Sequence, residues 1–269
     1  MKLVVDRERA RRAVRRLHET LPGELSETID IDTATYVPPE GIEWNSKKHF
    51  LYLFYGCLLD YGMKSSLYHE NLRNTFEERP ELFEPEYVVR NFQENVERLA
   101  MLLKKSVRLR FPNEGARRWL SLSEILLERY QGNPKEIFEQ PMKFDEVKEA
   151  VLGIKGFGQK TGGLLIRILY ENDLIRVEGQ LTHIPIDRHD IEISRMIGVL
   201  TTEESNWSSS VVLELLSSAW VEASYSEEID PCETDRNLWI VGSTMCSKKK
   251  CSKCPLNDMC EKSEGEVCG

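Results

Sequence analysis

Four cysteines late in the chain are the residues whose spacing most directly predicts chemistry. Cys246, Cys251, Cys254 and Cys260 are separated by four, two and five residues. This spacing can bring four thiolates around one point, and four sulfur ligands suit either an iron–sulfur cluster or a structural zinc ion. The sequence therefore predicts a metal centre within residues 246–260 and leaves the choice between the two metals open.

A second candidate is the segment V-L-G-I-K-G-F-G-Q-K at residues 151–160. Gly156 and Gly158 allow a sharp turn between two helices and a close approach of the backbone to a ligand. The free amide groups and the positive dipole end of the second helix would then suit a phosphate group. An ordinary glycine-containing turn between helices explains the same pattern.

Lys160 lies in the first turn of that second helix. A lysine amine is a nucleophile only when it is uncharged, and burial or a nearby helix N-terminus would lower its pKa. Lys160 is therefore a candidate nucleophile, and a lysine that is solvated or contacts phosphate is the alternative. Asp187, in I-P-I-D-R at 184–188, is predicted as a helix N-cap, or as a carboxylate that faces a cationic centre.

Helical periodicity dominates the rest of the chain and predicts an all-α protein. Phe50, Phe54, Cys57 and Leu58 recur at helical spacing, and Cys57 is expected in the core. Residues 174–186 are predicted as an extended loop and residues 22–44 as an irregular acidic segment. Helices are predicted over residues 47–61, 89–104, 120–131, 145–153, 160–171, 188–198, 211–225 and 235–245.

Composition limits the classes of function. The 269 residues carry a net charge of −9, but basic residues are concentrated at 7–16 and 248–253, so nucleic acid remains a possible partner. No apolar run approaches the roughly 20 residues that a membrane-spanning helix needs. The first residues lack the apolar stretch of a secretory signal, so the seven cysteines predict a reducing, cytoplasmic environment.

Taken together, G-F-G-Q-K-T at 156–161, I-P-I-D at 184–187 and the four cysteines resemble the helix-hairpin-helix DNA glycosylase superfamily over about residues 47–262. The cysteine segment is similar to the [4Fe–4S] loop of the endonuclease III and adenine glycosylase branches. The first gap between cysteines is shorter here than in those branches. Zinc or a modified cluster therefore remains an alternative to [4Fe–4S].

A second resemblance is to the archaeal GO (8-oxoguanine) glycosylases. It lies in the run Q-K-T-G-G-L-L-I-R-I-L at 159–169, in the 27 positions from Lys160 to Asp187, and in D-R-N-L-W at 235–239. That branch has an aromatic residue where Leu164 stands here, and it lacks an iron–sulfur loop. The chain thus combines features of two branches.

The resemblance implies a fold with two helical subdomains that flank a DNA-binding cleft. One subdomain would comprise residues 1–46 and 168–245, and the other residues 47–167, ending in the helix-hairpin-helix at about 145–167. The metal-cluster loop would occupy residues 246–260. The implied activity is a bifunctional DNA glycosylase and AP lyase of base excision repair that removes 8-oxoguanine from double-stranded DNA.

The resemblance also assigns roles to residues. Lys160 would attack C1′ of the damaged nucleotide, and Asp187 would stabilise the positive charge that develops on the sugar. Asp235 and Trp239 would recognise the flipped base. The chain is expected to act as a monomer associated with the nucleoid, without a membrane. DNA contacts are expected from Gly156, Gly158, Gln159, Arg188, Lys248, Lys249 and Lys250.

Several alternatives stay open at this point. The cysteine loop favours a glycosylase for oxidised or mismatched pyrimidines, and a DNA-binding module without catalysis would also use a hairpin and a metal loop. A glycosidase for free nucleosides or RNA is the third. Trp44, Tyr61 and Tyr68 could line a base pocket but are expected in the core, and His183 is expected at the surface or at a cap.

Overall fold

The computed structural model describes residues 3–21, 37–63, 65–138, 141–201 and 209–261. It confirms the all-α class. Contacts divide the chain into two compact units, one formed by Met1–Ile29 with Leu181–Gly269 and the other by Asp30–Gln180. The subdomain boundaries drawn from the sequence, at 46/47 and 167/168, stay a prediction.

The helices follow one another along the chain with short connections. None of the described helices combines the length and the apolar character that crossing a membrane requires. A π-helical turn, Val241–Cys246, follows the last helix, and 3-10 turns lie at Pro80–Phe83, Pro134–Ile137 and Cys251–Lys253. The described α-helices are α1 (Arg7–Thr20), α2 (Lys47–Leu58), α3 (Ser65–Glu78), α4 (Pro85–Phe92), α5 (Val96–Ser106), α6 (Pro112–Tyr130), α7 (Phe144–Leu152), α8 (Gln159–Glu171), α9 (Arg188–Met196), α10 (Ser210–Ser226) and α11 (Pro231–Ile240).

Two short strand pairs tie distant segments together. Strand β1 (Val4–Val5) is antiparallel to β4 (Leu200–Thr201), and β2 (Met142–Lys143) is parallel to β3 (Val177–Glu178). The segment 174–186 is therefore not entirely a loop, because β3 lies within it. The four strands are two residues long, so they fix the register of their segments and contribute little to the core.

Helix boundaries differ from the sequence prediction where a cap intervenes. The helix predicted over 89–104 is two helices, α4 and α5, because the Asn95 side chain accepts a hydrogen bond from the Arg98 amide at 3.1 Å and starts a new helix. Helices α1 and α3 were not predicted. Residues 22–36 of the predicted acidic segment lie outside the described residues.

The core of the Asp30–Gln180 unit is aromatic. Helix α2 is buried from His49 to Leu58, and the Tyr55 ring stacks on Trp119 with centroids 4.4 Å apart. The polar atoms of these rings are satisfied, since Trp119 Nε1 donates to the Leu82 carbonyl at 2.8 Å and Tyr55 Oη meets Ser123 Oγ at 2.6 Å. Residues from α2 and α6 are thus held in fixed positions in one core.

The other unit is built on α1, α10 and α11. Leu17 and Trp220 are buried in its core, and Trp220 Nε1 donates to Ser194 Oγ of α9 at 3.2 Å. Met245 and Leu256 extend this core, with Cys246 and Cys254 packed against it. The cysteine segment is therefore attached to the same hydrophobic core as α9.

Most of the arginines at 7–16 are engaged in ion pairs within their own unit and are not a free basic surface, contrary to the sequence interpretation. Arg11 and Arg15 both pair with Glu227, at 3.0 and 2.7 Å, and the hydrogen bond from Arg15 lowers the pKa of that carboxyl. Arg9 pairs with Glu261, and Arg16 pairs with Asp258 at 2.5 Å. Much of the positive charge of α1 is therefore used to hold other segments of its own unit.

The packing of α10 predicts different effects at two adjacent leucines. Leu216 is fully buried in the core of its unit, whereas Leu215 is 43% exposed. Leu216→Ala should lower the free energy of unfolding by about 2–5 kcal/mol, because it leaves a cavity in the core. Leu215→Ala should change it by about 0.5 kcal/mol or less. Chemical denaturation measures both, and equal losses would contradict the assigned face of α10.

Candidate active site

The helix-hairpin-helix consists of α7, a tight turn at 153–158, and α8. Gly156 has φ +114°, a conformation that L side chains rarely adopt, and its added Cβ would lie 3.0 Å from Leu58. Gly158 is the N-cap of α8 with an extended backbone, and its Cβ would meet nothing within 4 Å. The turn thus needs a glycine at 156, while the backbone at 158 is open.

The start of α8 presents Lys160. Its Nζ donates a hydrogen bond to the main-chain carbonyl of Asp60 at 3.2 Å. The residue is exposed, so the burial expected for a nucleophilic lysine is not observed. The amine is therefore positioned by a neutral carbonyl at the solvent boundary.

A second contact joins the hairpin to the segment after α2, and sequence reasoning missed it. Arg118 of α6 donates from Nη1 to the Gly156 carbonyl at 3.1 Å, and its guanidinium lies 4.5 Å from the centroid of the Tyr61 ring. Tyr61 follows Asp60, whose carbonyl holds Lys160. The hairpin is thus fastened at both its turn and its lysine.

The side chain of Asp60 is itself held in place by a buried histidine. It is 5% exposed, and its Oδ2 lies 3.3 Å from Nε2 of His69, which is 3% exposed. The sequence offered no periodic signal for this pair, because the two residues lie on either side of the turn between α2 and α3. The carbonyl that accepts from Lys160 therefore belongs to a buried, side-chain-anchored residue.

Asp187, in the other unit, is the N-cap of α9, as the sequence predicts. Its Oδ1 accepts hydrogen bonds from the amides of His189 and Asp190, at 2.6 and 3.2 Å. The residue is half-buried. One carboxylate oxygen is thus committed to the helix start, which fixes the direction of the group.

Asp190 completes this cap, and sequence reasoning did not single it out. Its Oδ2 accepts from the Asp187 amide at 2.6 Å, in a capping box that the D-x-x-D spacing at 187–190 could have revealed. Asp190 is 3% exposed. Burial raises its pKa well above the usual value, and the neighbouring carboxylates of Asp187 and Asp235 raise it further.

The two residues predicted to read the base lie on α11. Asp235 is 4% exposed and close enough to Asp190 to raise the pKa of that carboxyl. Trp239 is half-buried. The structure therefore brings Asp187, Asp190 and Asp235 together within one unit. Whether Asp235 and Trp239 contact a base stays a prediction.

The predicted DNA contacts differ in exposure. The Arg188 side chain is 87% exposed, with Nε 2.6 Å from Glu192, and Lys248, Lys249 and Lys250 are exposed. Gln159 is half-buried, and its Oε1 is buried without a hydrogen-bond partner in the part of the chain that the structure describes. The lysines follow the π-helical turn and remain placed for an anionic partner.

The cysteine segment brings three thiols near one another. The pKa of Cys246 is raised, first by its hydrogen bond with Cys254, then by burial and by the proximity of Cys254 and Cys260. Cys251 is in a disulfide. Within the described part of the chain, no group of three or more His, Cys, Asp or Glu residues is arranged to hold a metal ion.

The chemistry of this donor set nevertheless fits a metal centre. Three thiols converge, and the Cys254 amide donates to the carbonyl of Cys251 at 3.0 Å, so the fourth cysteine belongs to the same tight turn. Thiolates are the ligands of both iron–sulfur clusters and structural zinc. A closed four-sulfur arrangement would require the thiol of Cys251.

The burial of four further residues agrees with the sequence prediction in two cases and differs from it in two. Cys57 and Tyr68 are 1% exposed, as predicted for core residues, and burial raises the pKa of Cys57. Trp44 is 44% exposed and not in the core. His183 is buried and not at the surface. Its Nδ1 forms a hydrogen bond with Ser217 Oγ at 2.9 Å, so this buried ring nitrogen has a partner.

The hairpin geometry predicts opposite tolerances at its two glycines. Gly156→Ala should lower the free energy of unfolding by about 1–3 kcal/mol, because alanine is strained at this φ and crowds Leu58. Gly158→Ala should cost about 0.5 kcal/mol or less, because its Cβ enters open space. Denaturant titration compares the two; a larger loss at 158 would contradict the turn geometry.

Comparison with known proteins finds similarity of fold and none of sequence family. No protein-family model matches the sequence, and no curated protein sequence does. A trapped endonuclease III–DNA covalent intermediate with an estranged adenine superposes with a TM-score of 0.62 at 15% identity, covering 96% of each chain. A non-covalent endonuclease III–DNA complex gives 0.62 at 16% identity, again covering 96% of each chain.

A thermostable thymine-DNA glycosylase superposes with a TM-score of 0.58 at 13% identity, covering 94% of this chain and 95% of that one. At these identities the similarity establishes architecture. The chain therefore has the all-α helix-hairpin-helix fold of the endonuclease III structures.

Proposed function

We propose that the protein is a DNA glycosylase of base excision repair with AP lyase activity. The observation that carries the proposal is the position of Lys160, in the first turn of α8 and hydrogen-bonded to the Asp60 carbonyl, on a fold that matches a trapped endonuclease III–DNA covalent intermediate. A noncatalytic DNA-binding module would need phosphate contacts from the hairpin. It would not need an amine held at this position by a buried residue.

In the proposed reaction, the Lys160 nitrogen forms a bond to C1′ of the damaged nucleotide. The C1′–N glycosidic bond breaks, and its electron pair leaves with the base. Asp187 stabilises the positive charge on the sugar and accepts the proton released from the lysine nitrogen. The sugar ring opens to a Schiff base, and loss of a C2′ proton then breaks the C3′–O bond and nicks the strand.

The hairpin and the exposed lysines would hold the DNA. The open backbone at Gly158 and the first amides of α8 suit a phosphate at a helix N-terminus. Lys248, Lys249 and Lys250 add positive charge in a protein whose net charge is −9, so binding should weaken as salt is raised.

We propose an oxidised purine, 8-oxoguanine, as the base that is removed. Support comes from Asp235 and Trp239, which lie one helical turn apart on α11 in the D-R-N-L-W run, with Asp235 next to the Asp187 cap. The second candidate is an oxidised or mismatched pyrimidine. The endonuclease III and thymine-DNA glycosylase structures with the same fold favour that alternative.

We also propose that, once the disulfide of Cys251 is reduced, Cys246, Cys251, Cys254 and Cys260 hold a [4Fe–4S] cluster, with zinc as the alternative. When bound, either metal would serve as a structural cross-link, since hydrolysis or elimination at a sugar involves no change of oxidation state. The cysteine segment would then hold Lys248–Lys250 in place. Helix α1 supports the same segment through Arg16, which pairs with Asp258 and donates to the Pro255 carbonyl at 3.3 Å.

Borohydride trapping tests the proposed intermediate. With a panel of duplexes that each carry one damaged base, the wild-type protein should form a covalent complex, most with 8-oxoguanine, because borohydride reduces the Schiff base. Lys160→Gln should abolish it. Asp187→Asn should slow base release by about 100-fold or more while DNA binding persists.

Lys155→Gln is the matched control, because Lys155 is an exposed lysine of the same hairpin. It should retain trapping. DNA binding without trapping or base release on any duplex would refute the enzymatic proposal and favour a binding module. Trapping restricted to pyrimidine lesions would refute only the assignment of 8-oxoguanine.

Metal analysis tests the cysteine site. Protein purified without oxygen should contain iron and acid-labile sulfide, and Cys254→Ser should lower the iron content severalfold, because it removes one thiolate ligand. Cys232→Ala, at a buried cysteine of α11, should keep the iron. Stoichiometric zinc in place of iron would select the alternative, and a metal-free wild-type protein would reject the site.

A further inference from the structure

The buried carboxyl of Asp190 has a hydrogen-bonding arrangement that suits a neutral acid. Its Oδ2 accepts a hydrogen bond from the Asp187 amide at 2.6 Å, but its Oδ1 is buried and has no hydrogen-bond partner among the described residues. An ionised carboxylate needs donors at both oxygens when it is removed from water. Here one oxygen lacks a donor, although the residue is only 3% exposed.

The charged groups around Asp190 also favour its neutral, protonated form. Among the described residues, Asp187 at the N-cap and Asp235 of α11 are the charged groups that act on it, and both are acidic. The π-helical turn that also packs on α9 carries Cys246, whose thiol is engaged with Cys254. The side chain of Arg188 points to solvent and pairs with Glu192. Three carboxylates at close range cannot all be ionised without a large cost.

We propose that Asp190 is a positioning residue: it carries the proton of the Asp187–Asp190–Asp235 cluster and so fixes Asp187 at the start of α9. The inference rests on the proposed function, in which Asp187 acts at the sugar. The short bond from the Asp187 amide to Asp190 Oδ2 then sets the backbone from which the Asp187 side chain extends.

The position explains why an acid is present at the third residue of α9. In an ordinary capping box, a side chain there only needs to accept one amide hydrogen bond. A neutral acid accepts that bond and offers one O–H to a carboxylate neighbour. Asparagine reproduces both features, whereas alanine reproduces neither.

Thermal unfolding as a function of pH tests the protonation independently of catalysis. If the folded protein keeps the Asp190 proton above pH 4 while the unfolded chain loses it, the folded state binds more protons, and stability falls as pH rises. Asp190→Asn removes this loss. Its Tm relative to wild type should therefore rise between pH 4 and pH 8, by about 2–8 °C.

Asp173→Asn is the matched control, since Asp173 is exposed and lies in the other unit. Its Tm difference from wild type should not change over the same range. If the difference for Asp190→Asn also stays constant or shrinks with pH, Asp190 does not hold the proton and the proposal is wrong.

Single-turnover base release tests the positioning role. Asp190→Ala should slow the reaction by about 10- to 100-fold at unchanged DNA affinity, because Asp187 loses its support, and Asp190→Asn should restore most of the rate. The wild-type rate should fall at high pH where the rate of Asp190→Asn does not. Equal rates for alanine and asparagine with identical pH profiles would overturn the positioning role.

Absence of base release in every variant would refute the proposed function, while the thermal comparison still decides where the proton resides.

Discussion

The first amides of an α-helix have no partner within the helix, and this constraint organises the start of α8 in one unit and the start of α9 in the other. Helix α8 begins at Gly158, whose amide donates to Thr161 Oγ1 at 3.1 Å, and Lys160 follows in the first turn. Helix α9 begins at Asp187, whose carboxylate accepts two of the free amides. The two proposed catalytic groups are therefore placed by the requirements of two helix starts.

The two starts solve the constraint differently, with different chemical consequences. A glycine cap leaves the backbone of α8 open, so a phosphate oxygen can serve as an acceptor there. A carboxylate cap on α9 occupies one oxygen of Asp187 and brings Asp190 beside it. Burial and that proximity raise the pKa of Asp190. The capping motif of α9 thus also determines the protonation of a buried carboxyl.

Long-range ion pairs support the rest of the unit that contains α9. Arg9 and Arg16 of α1 reach Glu261 and Asp258, on either side of Cys260. A run of arginines that resembles a nucleic-acid patch in sequence thus acts mainly within the protein. The exposed lysines at 248–250 remain for an anionic partner, and their position depends on the segment that α1 holds.

Sequence alone determined the all-α class, most helix positions, the glycine-containing hairpin and the N-cap at Asp187, because helical periodicity and capping are local properties. It missed α1 and α3, and it merged α4 with α5. Only the tertiary structure decided that Lys160 is exposed and held by the Asp60 carbonyl, that Arg118 fastens Gly156, and that Asp190 is buried beside Asp187 and Asp235. These features depend on which residues meet across long sequence separations, and on the burial that follows from packing. Neither is encoded in the spacing of residues along one segment.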